Sequence, residues 1–208
     1  MWEFERAARA EGHARIAGVD EAGRGPLAGP VVAACVRLPD PLPEALQGLT
    51  DSKRLSARAR AAFFTAIRQH ALGWGIGIVS AQVIDEINIL QATFRAMREA
   101  IAACDGPDYV IVDGKLRVPG LTIVQRAVVQ GDGRSWSVAA ASVLAKETRD
   151  ALMQEAHERW PEYGFARHKG YGTKEHLAAI ARHGPCPLHR LSFQPVAKRM
   201  AEETPQRV

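Results

Sequence analysis

Two adjacent carboxylates, Asp20 and Glu21, follow a short apolar segment and precede the turn sequence Gly23-Arg24-Gly25. Carboxylate oxygens are hard ligands that suit Mg²⁺ or Mn²⁺, and Mg²⁺ in proteins commonly lies between one or two carboxylates and a substrate phosphate. Glycines in the turn allow the backbone to approach a ligand closely. The segment therefore indicates either a metal-dependent phosphate site or an ordinary exposed corner between a strand and a loop. On their own, these residues favour neither interpretation.

Two further acids occupy comparable positions later in the chain. Asp113 ends an apolar segment, and Asp132 lies in a Gly-Asp-Gly turn before a long helical pattern. Acids at the carboxyl ends of neighbouring strands meet at one sheet edge, where open α/β sheets bind ligands. A helix amino terminus favours the ionised carboxylate that a metal ligand requires. Together with Asp20 and Glu21 they predict a four-acid cluster, in which two divalent ions about 3.5–4 Å apart would offset the mutual repulsion.

Each acid also has a purely structural interpretation. Glu21 points away from Asp20 if the strand stays regular, because side chains along a strand alternate between its faces. On that argument Glu21 joins the site only if the backbone breaks at the glycine-rich turn. Asp113 and Asp132 are compatible with simple turn roles, and Asp150, in the middle of a predicted helix, is expected to form a surface salt bridge.

The sequence gives no support for three other kinds of site. The glycines from Gly23 to Gly29 have the spacing Gly-x-Gly-x-x-x-Gly with no helix after them, which does not match a dinucleotide-binding turn. A Gly-Lys-Ser/Thr phosphate loop is missing from the sequence. Cys186 and His189 have the spacing of two zinc ligands, but no second pair completes the four that a structural site needs.

The composition predicts a single globular domain. The chain has 208 residues, of which 47% are hydrophobic and 24% charged, enough for a substantial core. The first 15 residues lack an apolar signal-peptide core. No apolar run approaches the roughly 18 residues that a membrane span needs. The three cysteines form no Cys-x-x-Cys pair, which is typical of reduced thiols. We therefore expect a cytoplasmic protein with no membrane partner.

Basic residues are concentrated at the carboxyl end of the chain. Residues 163–208 contain eight Lys or Arg against three Asp or Glu, and four of the seven histidines. The sequence His168-Lys169-Gly170-Tyr171-Gly172 places a basic pair and an aromatic ring in a glycine-flanked loop before a helix. Such a loop can receive a phosphate and stack on a sugar or base. The region indicates either a nucleic-acid contact or a solubilising tail.

The hydrophobic pattern predicts alternating strands and helices around a mixed sheet, an α/β class of fold. Ser56 and Ser135 have the position and type of helix N-caps. The predicted strands cover 15–20, 29–38, 75–79, 109–113 and 121–124. The predicted helices cover 56–72, 80–87, 91–104, 135–159 and 173–183, followed by a loop at 185–187 and an irregular tail.

Taken together, these motifs resemble those of bacterial ribonuclease HII over about residues 15–195. The resemblance rests on seven blocks in the family's order: Ala17-Gly18-Val19-Asp20-Glu21-Ala22-Gly23-Arg24-Gly25-Pro26, Asp51-Ser52-Lys53-Arg54-Leu55, Val112-Asp113-Gly114, Gly131-Asp132, Ala139-Ala140-Ala141-Ser142-Val143-Leu144-Ala145-Lys146, His168-Lys169-Gly170-Tyr171-Gly172-Thr173 and His189-Arg190-Leu191-Ser192-Phe193. One departure is Gln130, where many relatives have a lysine. It would weaken one phosphate contact and leaves the four acids intact.

The resemblance implies a ribonuclease H-like fold, with a mixed five-stranded sheet flanked by helices and a small helical carboxy-terminal region. It implies a catalytic domain at residues 1–184, including an amino-terminal extension at 1–14. Residues 185–208 would form a tail that packs on or near the substrate-binding face. A monomer is expected.

The resemblance also implies an activity. The family hydrolyses the RNA strand of RNA–DNA hybrids and nicks on the 5′ side of a single ribonucleotide in duplex DNA, leaving 5′-phosphate and 3′-hydroxyl ends. Asp20, Glu21, Asp113 and Asp132 would be the catalytic residues that hold two Mg²⁺ or Mn²⁺ ions.

By the same resemblance, the backbone of Gly23-Arg24-Gly25 would contact the ribose 2′-hydroxyl, and Tyr171 would stack on the neighbouring deoxyribose. Lys53, Lys146 and Lys169 would contact phosphates. Two alternatives remain at this stage: a non-catalytic RNA–DNA hybrid-binding protein, and another metal-dependent nuclease or strand transferase that shares the acids.

Overall fold

A five-stranded mixed sheet forms the centre of the protein, as a computed structural model of the chain shows; the structure describes residues 1–203. The strand order is β3-β2-β1-β4-β5. The first three strands pair antiparallel, whereas β1 with β4 and β4 with β5 pair parallel. The strands are β1 (Ile16–Ala22), β2 (Val31–Arg37), β3 (Gly73–Val79), β4 (Tyr109–Asp113) and β5 (Val124–Val128). The predicted mixed five-stranded α/β fold is confirmed.

Helices cover both faces of this sheet. They are α1 (Glu3–Ala10), α2 (Ala57–His70), α3 (Ala81–Ala102), α4 (Trp136–Arg159), α5 (Phe165–His168), α6 (Lys174–His183) and α7 (Gln194–Glu203). The two predicted N-caps are confirmed: the Ser56 side chain accepts a hydrogen bond from the N–H of Ala59, and that of Ser135 from the N–H of Val138. Each cap satisfies one of the amide groups that a helix start leaves without an intrahelical partner.

The structure corrects several predicted boundaries. The last strand lies at Val124–Val128 rather than 121–124, and its residues alternate between exposed and partly buried up to the buried Val128, as in a strand at a sheet edge. The two helices predicted at 80–87 and 91–104 are confirmed, because α3 is interrupted at Asn88, whose φ of 66° is outside the helical region. The predicted irregular tail contains a helix at Gln194–Glu203, which agrees with the helical carboxy-terminal region that the resemblance implied.

The hydrophobic core lies on both faces of β1 and β2. Ala17 and Val19 pack on the α3 face, whereas Val32 and Ala34 pack against the apolar side of α4. Close approach of α4 requires a glycine in β1, because a Cβ atom on Gly18 would lie 2.1 Å from the backbone carbon of Ser137. The absence of a side chain at this position therefore sets how near α4 can lie to the end of β1 that carries Asp20.

The segment after α6 folds back onto the turn between β1 and β2. The N–H of Arg190 donates to the Leu27 carbonyl at 2.8 Å, and the N–H of Gly29 donates to the Leu188 carbonyl at 2.8 Å. This contact lies within the predicted tail of 185–208, of which residues 204–208 lie outside the described part of the chain. The boundary at 184 stays a prediction. In residues 1–203, no helix combines the length and apolarity needed to cross a bilayer.

Replacing Gly18 with alanine tests the close packing between α4 and β1. We expect Gly18→Ala to lower the free energy of unfolding by about 1–3 kcal/mol, because the new methyl group has to displace the α4 backbone. Chemical denaturation would measure the change. Gly133→Ala is the matched control, since a Cβ atom there meets nothing within 4 Å. Equal stability of the two variants would contradict this account of the packing.

Candidate active site

Asp20 lies near the carboxyl end of β1 with only 6% of its surface exposed. Its Oδ1 atom accepts a hydrogen bond of 2.7 Å from the N–H of Glu21. The Ser142 side chain of α4 forms a second hydrogen bond with this carboxylate. The Ser142 and Ser52 hydroxyls are in turn 2.9 Å apart and buried. Asp20 is therefore held from two sides, by its own strand and by α4.

Glu21 reaches the same site although the strand does not break. The pairing of β1 with β2 continues through Glu21 and Ala22. Asp20 and Glu21 nevertheless line one cavity of about 300 Å³. The expectation that Glu21 could join Asp20 only through a backbone break was therefore wrong. Near the end of a strand, side chains from opposite faces can both reach the space beyond the sheet edge.

Asp113 and Asp132 meet at the neighbouring strand end. The Oδ1 atom of Asp113, the last residue of β4, accepts a hydrogen bond of 2.7 Å from the N–H of Gly131. This bond fixes the turn that carries Asp132, which is only 8% exposed. Asp113 and Glu21 also line a second, smaller cavity of about 50 Å³. The turn thus places Asp132 close enough to Asp113 for their charges to interact.

The acids of this site perturb one another's protonation. Burial, followed by repulsion from Glu21 and Asp113, raises the pKa of Asp20 well above its usual value. Burial raises the pKa of Glu21 as well, although Arg24 opposes the shift. Burial and the charges of Asp51 and Asp113 raise the pKa of Asp132. Each shift means that the folded protein disfavours the ionised form unless positive charge is brought near.

Two of the three predicted phosphate-binding lysines line the larger cavity. Burial alone would lower the pKa of Lys53, but attraction to Asp20, Asp51 and other acids outweighs it and raises that pKa. Lys146 lines the cavity and is held by a 2.7 Å salt bridge to Asp150, so the salt-bridged role predicted for Asp150 is confirmed. Lys169 is not among the described residues that line this cavity.

The turn Gly23-Arg24-Gly25 borders the same cavity, and so does Tyr171. Gly23 has a φ of +94°, a conformation that side chains disfavour. Arg24 Nη1 lies 3.3 Å from Glu21 Oε1. A Cβ atom on Gly25 would lie 3.6 Å from Tyr171 Cε1, and the Tyr171 side chain is 48% exposed. Asp20, Glu21, the turn and the aromatic ring, which were predicted from distant parts of the sequence, therefore line one cavity.

Four residues that contribute to this site were given no role from the sequence. Ser52 and Ser142 support Asp20, while Arg149 and Arg190 lie buried behind the glycine-rich turn. Three of them fall inside the sequence blocks that carried the family resemblance, and Arg149 follows one of those blocks by three positions. The signal for Arg149 is an arginine on an otherwise apolar helix face. This signal can be used only when the buried face of the helix is already known.

The donor set at the sheet edge fits a hard divalent cation. Carboxylate oxygens are what Mg²⁺ and Mn²⁺ prefer. Burial, together with neighbouring acids, raises the pKa values of Asp20, Glu21 and Asp132, so a nearby cation would stabilise their ionised forms. Within residues 1–203, however, no three His, Cys, Asp or Glu side chains are arranged as a complete metal-binding group. The fit rests on ligand chemistry and charge, and the assignment of the four acids as metal ligands stays a prediction.

Comparison with known proteins gives consistent matches. The family model described as Ribonuclease HII matches residues 17–196. The Ribonuclease HII of Syntrophotalea carbinolica is 57% identical over 194 residues, which are 93% of this chain and 91% of that protein. The ribonuclease H2 from Pyrococcus horikoshii OT3 has a similar structure, with a TM-score of 0.76, 24% identity, and coverage of 91% of this chain and 98% of that one. Bst-RNase HIII in complex with Mn²⁺ has a TM-score of 0.74 and 20% identity, covering 94% and 72% of the two chains.

Burial of the Asp20 charge, together with repulsion from Glu21 and Asp113, predicts a gain in stability when Asp20 is neutralised. In metal-free buffer at neutral pH, we expect Asp20→Asn to unfold at a higher temperature than the wild type, by about 2–4 °C for each 1 kcal/mol recovered. Asparagine keeps the oxygen that accepts from the N–H of Glu21. Thermal unfolding measures the shift, and Glu158→Gln, an exposed change on α4, is the control.

The pKa shift of Asp20 also predicts how the unfolding temperature changes with pH. A carboxyl group whose pKa is raised in the folded state binds more protons folded than unfolded, so stability falls as pH rises from about 4 towards neutrality. This fall should be smaller in Asp20→Asn. Added Mn²⁺ should raise the unfolding temperature of the wild type more than that of the variant. A variant less stable than the wild type in metal-free buffer at neutral pH would contradict this account of the Asp20 charge.

Proposed function

The chain belongs to the ribonuclease HII family and is a ribonuclease H, a hydrolase of phosphodiester bonds; from this premise, we propose that it nicks duplex DNA on the 5′ side of a single embedded ribonucleotide, as well as cleaving the RNA strand of RNA–DNA hybrids. The products would carry 5′-phosphate and 3′-hydroxyl ends. Such a reaction would begin the removal of ribonucleotides from DNA.

One observation carries this proposal: two of the four acids and the two recognition elements border a single cavity. Asp20 and Glu21 line this cavity together with the turn Gly23-Arg24-Gly25 and Tyr171. A phosphodiester placed at the acids would therefore have its adjoining ribose at the turn. Because the RNA-specific group is the 2′-hydroxyl, contact at this position is what distinguishes RNA from DNA.

The backbone of the turn is suited to a donor role. The carbonyl oxygens of Gly23 and Arg24 accept hydrogen bonds from Arg190, which leaves the N–H groups as the groups that the turn can offer to the 2′-hydroxyl. Tyr171 would lie against the deoxyribose on the other side of the junction, since its exposed ring is next to Gly25. An aromatic face stacks on nucleic acid without needing a particular base.

The four acids would hold two divalent ions. When bound by Asp20, Glu21, Asp113 and Asp132, Mg²⁺ or Mn²⁺ would supply Lewis-acid activation of a water and charge neutralisation at the leaving 3′-oxygen. A neighbour of the same fold, Bst-RNase HIII, is known in complex with Mn²⁺, which supports this choice of ion.

The basic side chains would position the substrate phosphates. Lys53 and Lys146 border the cavity and would hold the strand at the acids. Lys169 would contact a phosphate farther from the cleaved bond. A cytoplasmic location and a monomeric state complete the proposal.

A non-catalytic hybrid-binding protein is the alternative, and the charges oppose it. Asp20 is nearly buried, and burial and repulsion already raise its pKa. Bringing a phosphate to such a site would add another negative charge without any gain in binding. The arrangement is useful only when cations and chemistry accompany the substrate.

Cleavage of a defined duplex tests the proposed activity. A DNA duplex with one ribonucleotide should be nicked on its 5′ side in Mg²⁺ or Mn²⁺, and an all-DNA duplex of the same sequence should stay intact. Asp20→Asn should abolish nicking, since one metal ligand is replaced by a neutral amide. Mapping the products on a denaturing gel would show whether and where the duplex is nicked. Cutting of all-DNA duplex, or unchanged activity in Asp20→Asn, would exclude the proposal.

A separate substitution tests the role of Tyr171. We expect Tyr171→Ala to lower kcat/KM on the single-ribonucleotide duplex by about tenfold, because loss of one stacking contact costs about 1–3 kcal/mol. Tyr171→Phe is the matched control, since it keeps the ring and should retain most of the activity. Near-normal nicking by the alanine variant would remove Tyr171 from substrate recognition.

A further inference from the structure

Two consecutive buried residues, His189 and Arg190, lie between the two recognition elements described above. They are 2% and 0% exposed. Arg190 contacts the turn Gly23-Arg24-Gly25, and His189 is linked through one other side chain to Tyr171. Neither residue lines the cavity where the substrate would bind. Their contacts therefore concern how the recognition elements are placed.

Arg190 uses its guanidinium to hold the turn from behind. Its Nη2 atom donates to the Gly23 carbonyl at 2.6 Å, and Nη1 donates to the Arg24 carbonyl at 3.0 Å. Nε and Nη2 both donate to the Gly29 carbonyl, at 3.0 and 2.8 Å. The guanidinium also lies 5.0 Å from the centre of the Phe193 ring. All four hydrogen bonds end on backbone oxygens at the two ends of one turn, which fixes its shape.

A second buried arginine completes this support. Arg149 of α4 donates to the Pro30 carbonyl at 3.0 Å and to the Ala28 carbonyl at 3.1 Å. Burial and the adjacent Arg149 cation lower the pKa of Arg190 to about 9, which still leaves it protonated at neutral pH. Two like charges buried side by side are unfavourable in themselves. The protein tolerates these two charges because the carbonyl groups of the turn point towards them. The same carbonyl groups therefore point away from the position proposed for the substrate.

His189 is connected to Tyr171 by a directional chain of hydrogen bonds. The N–H of Cys186 donates to His189 Nδ1 at 2.9 Å, so His189 carries its proton on Nε2. That proton can be donated to His176 Nε2 at 3.1 Å, and His176 Nδ1 then donates to the Tyr171 carbonyl at 2.9 Å. The longer contact of 3.2 Å from His189 Nδ1 to the Cys186 carbonyl does not change this direction.

Both histidines must be neutral for this chain to form. A proton on both Nε2 atoms would place two donors against each other. Burial, with repulsion from His168, lowers the pKa of His176 to about 4, and burial, with repulsion from His176, lowers that of His189 to about 4. At neutral pH the pair therefore holds the Tyr171 backbone in one position.

Backbone contacts join the two supports into one unit. The N–H of Arg190 donates to the Leu27 carbonyl, and the N–H of Leu27 donates to the Gly170 carbonyl, both at 2.8 Å. Gly170 has no room for a side chain, because its Cβ atom would lie 2.5 Å from the Ala28 carbonyl oxygen. The segment at 186–190 is thus in contact with the turn, and the turn with the loop that carries Tyr171.

We propose that His189 and Arg190 are positioning residues that set the separation between the turn Gly23-Arg24-Gly25 and Tyr171, and thereby the selectivity for a ribonucleotide followed by a deoxyribonucleotide. The inference rests on the proposed function, since it assumes that these two elements contact the substrate. It assigns the selectivity to a buried dipeptide far along the chain that touches no substrate atom.

The first experiment compares Arg190→Met, Arg190→Lys and the control Arg182→Met, an exposed change on α6. Nicking of the single-ribonucleotide duplex and cleavage of a continuous RNA–DNA hybrid are measured separately. We expect Arg190→Met to lose about tenfold or more in kcat/KM on the single ribonucleotide and less on the hybrid, which offers many equivalent sites. Arg190→Lys should recover part of the loss, since an ammonium still reaches one carbonyl. Arg182→Met should behave as the wild type.

The second experiment asks whether His189 acts through Tyr171. His189→Gln is measured alone and combined with Tyr171→Ala. If His189 acts only by placing Tyr171, the double variant should nick the single-ribonucleotide duplex no worse than Tyr171→Ala alone. A general structural role would instead give multiplied losses on every substrate.

The outcomes separate the two proposals. A wild-type protein that does not nick the ribonucleotide-containing duplex overturns the proposed function. A wild type that nicks selectively, with a folded Arg190→Met that stays within about twofold on both substrates, overturns the positioning role alone. Equal losses on both substrates, or multiplied losses in the double variant, also overturn it. If Arg190→Met does not fold, the positioning role is tested by the same criteria with Arg190→Lys and with His189→Gln alone and combined with Tyr171→Ala.

Discussion

Burial and mutual repulsion of the carboxylates at the ends of β1 and β4 are the constraint on which the site depends. Asp20 and Asp132 are almost inaccessible to water, and the sheet edge brings Glu21 and Asp113 near them. The protein offsets part of this charge with Lys53 and Arg24 and with hydrogen bonds from Ser142 and the backbone. The remaining imbalance makes the site receptive to divalent cations, and it costs stability in their absence.

Buried positive charges, in contrast to these buried acids, lie a few residues further along the same segment. Behind the glycine-rich turn, two buried arginines are stabilised by hydrogen bonds to backbone carbonyls. A Cβ atom on Gly23 would lie 2.1 Å from Arg149 Nε, so this glycine is required by the arginine behind it as well as by its own positive φ. One short stretch of chain thus lies between an anionic site and a cationic support, and both restrict its conformation.

Much of this arrangement could be predicted from the sequence. The apolar runs located four of the five strands, the serine caps located two helix starts, and the strand-end acids indicated Asp20 and Asp113 as neighbours. The errors have physical reasons. The edge strand β5 carries the polar pair Gln125 and Arg126 at its centre and follows the more apolar run at 121–124, so the hydrophobic pattern placed this strand too early. Glu21 was expected to need a backbone break, because side-chain alternation takes no account of the open space beyond a strand end.

The sequence by itself determined the chemistry of this protein: its acids, its glycine turn, its aromatic loop and, through their order, its family. These features depend on residue type and on spacing along the chain, so they can be recognised without knowing the tertiary contacts. Only the tertiary structure decided which distant groups support them. The hydrogen bonds from Arg190 to Gly23 and from His176 to Tyr171 depend on the return of the chain after α6. Such contacts have no sequence period, because they arise when folding brings a buried cation or imidazole to carbonyls that no helix or strand has satisfied.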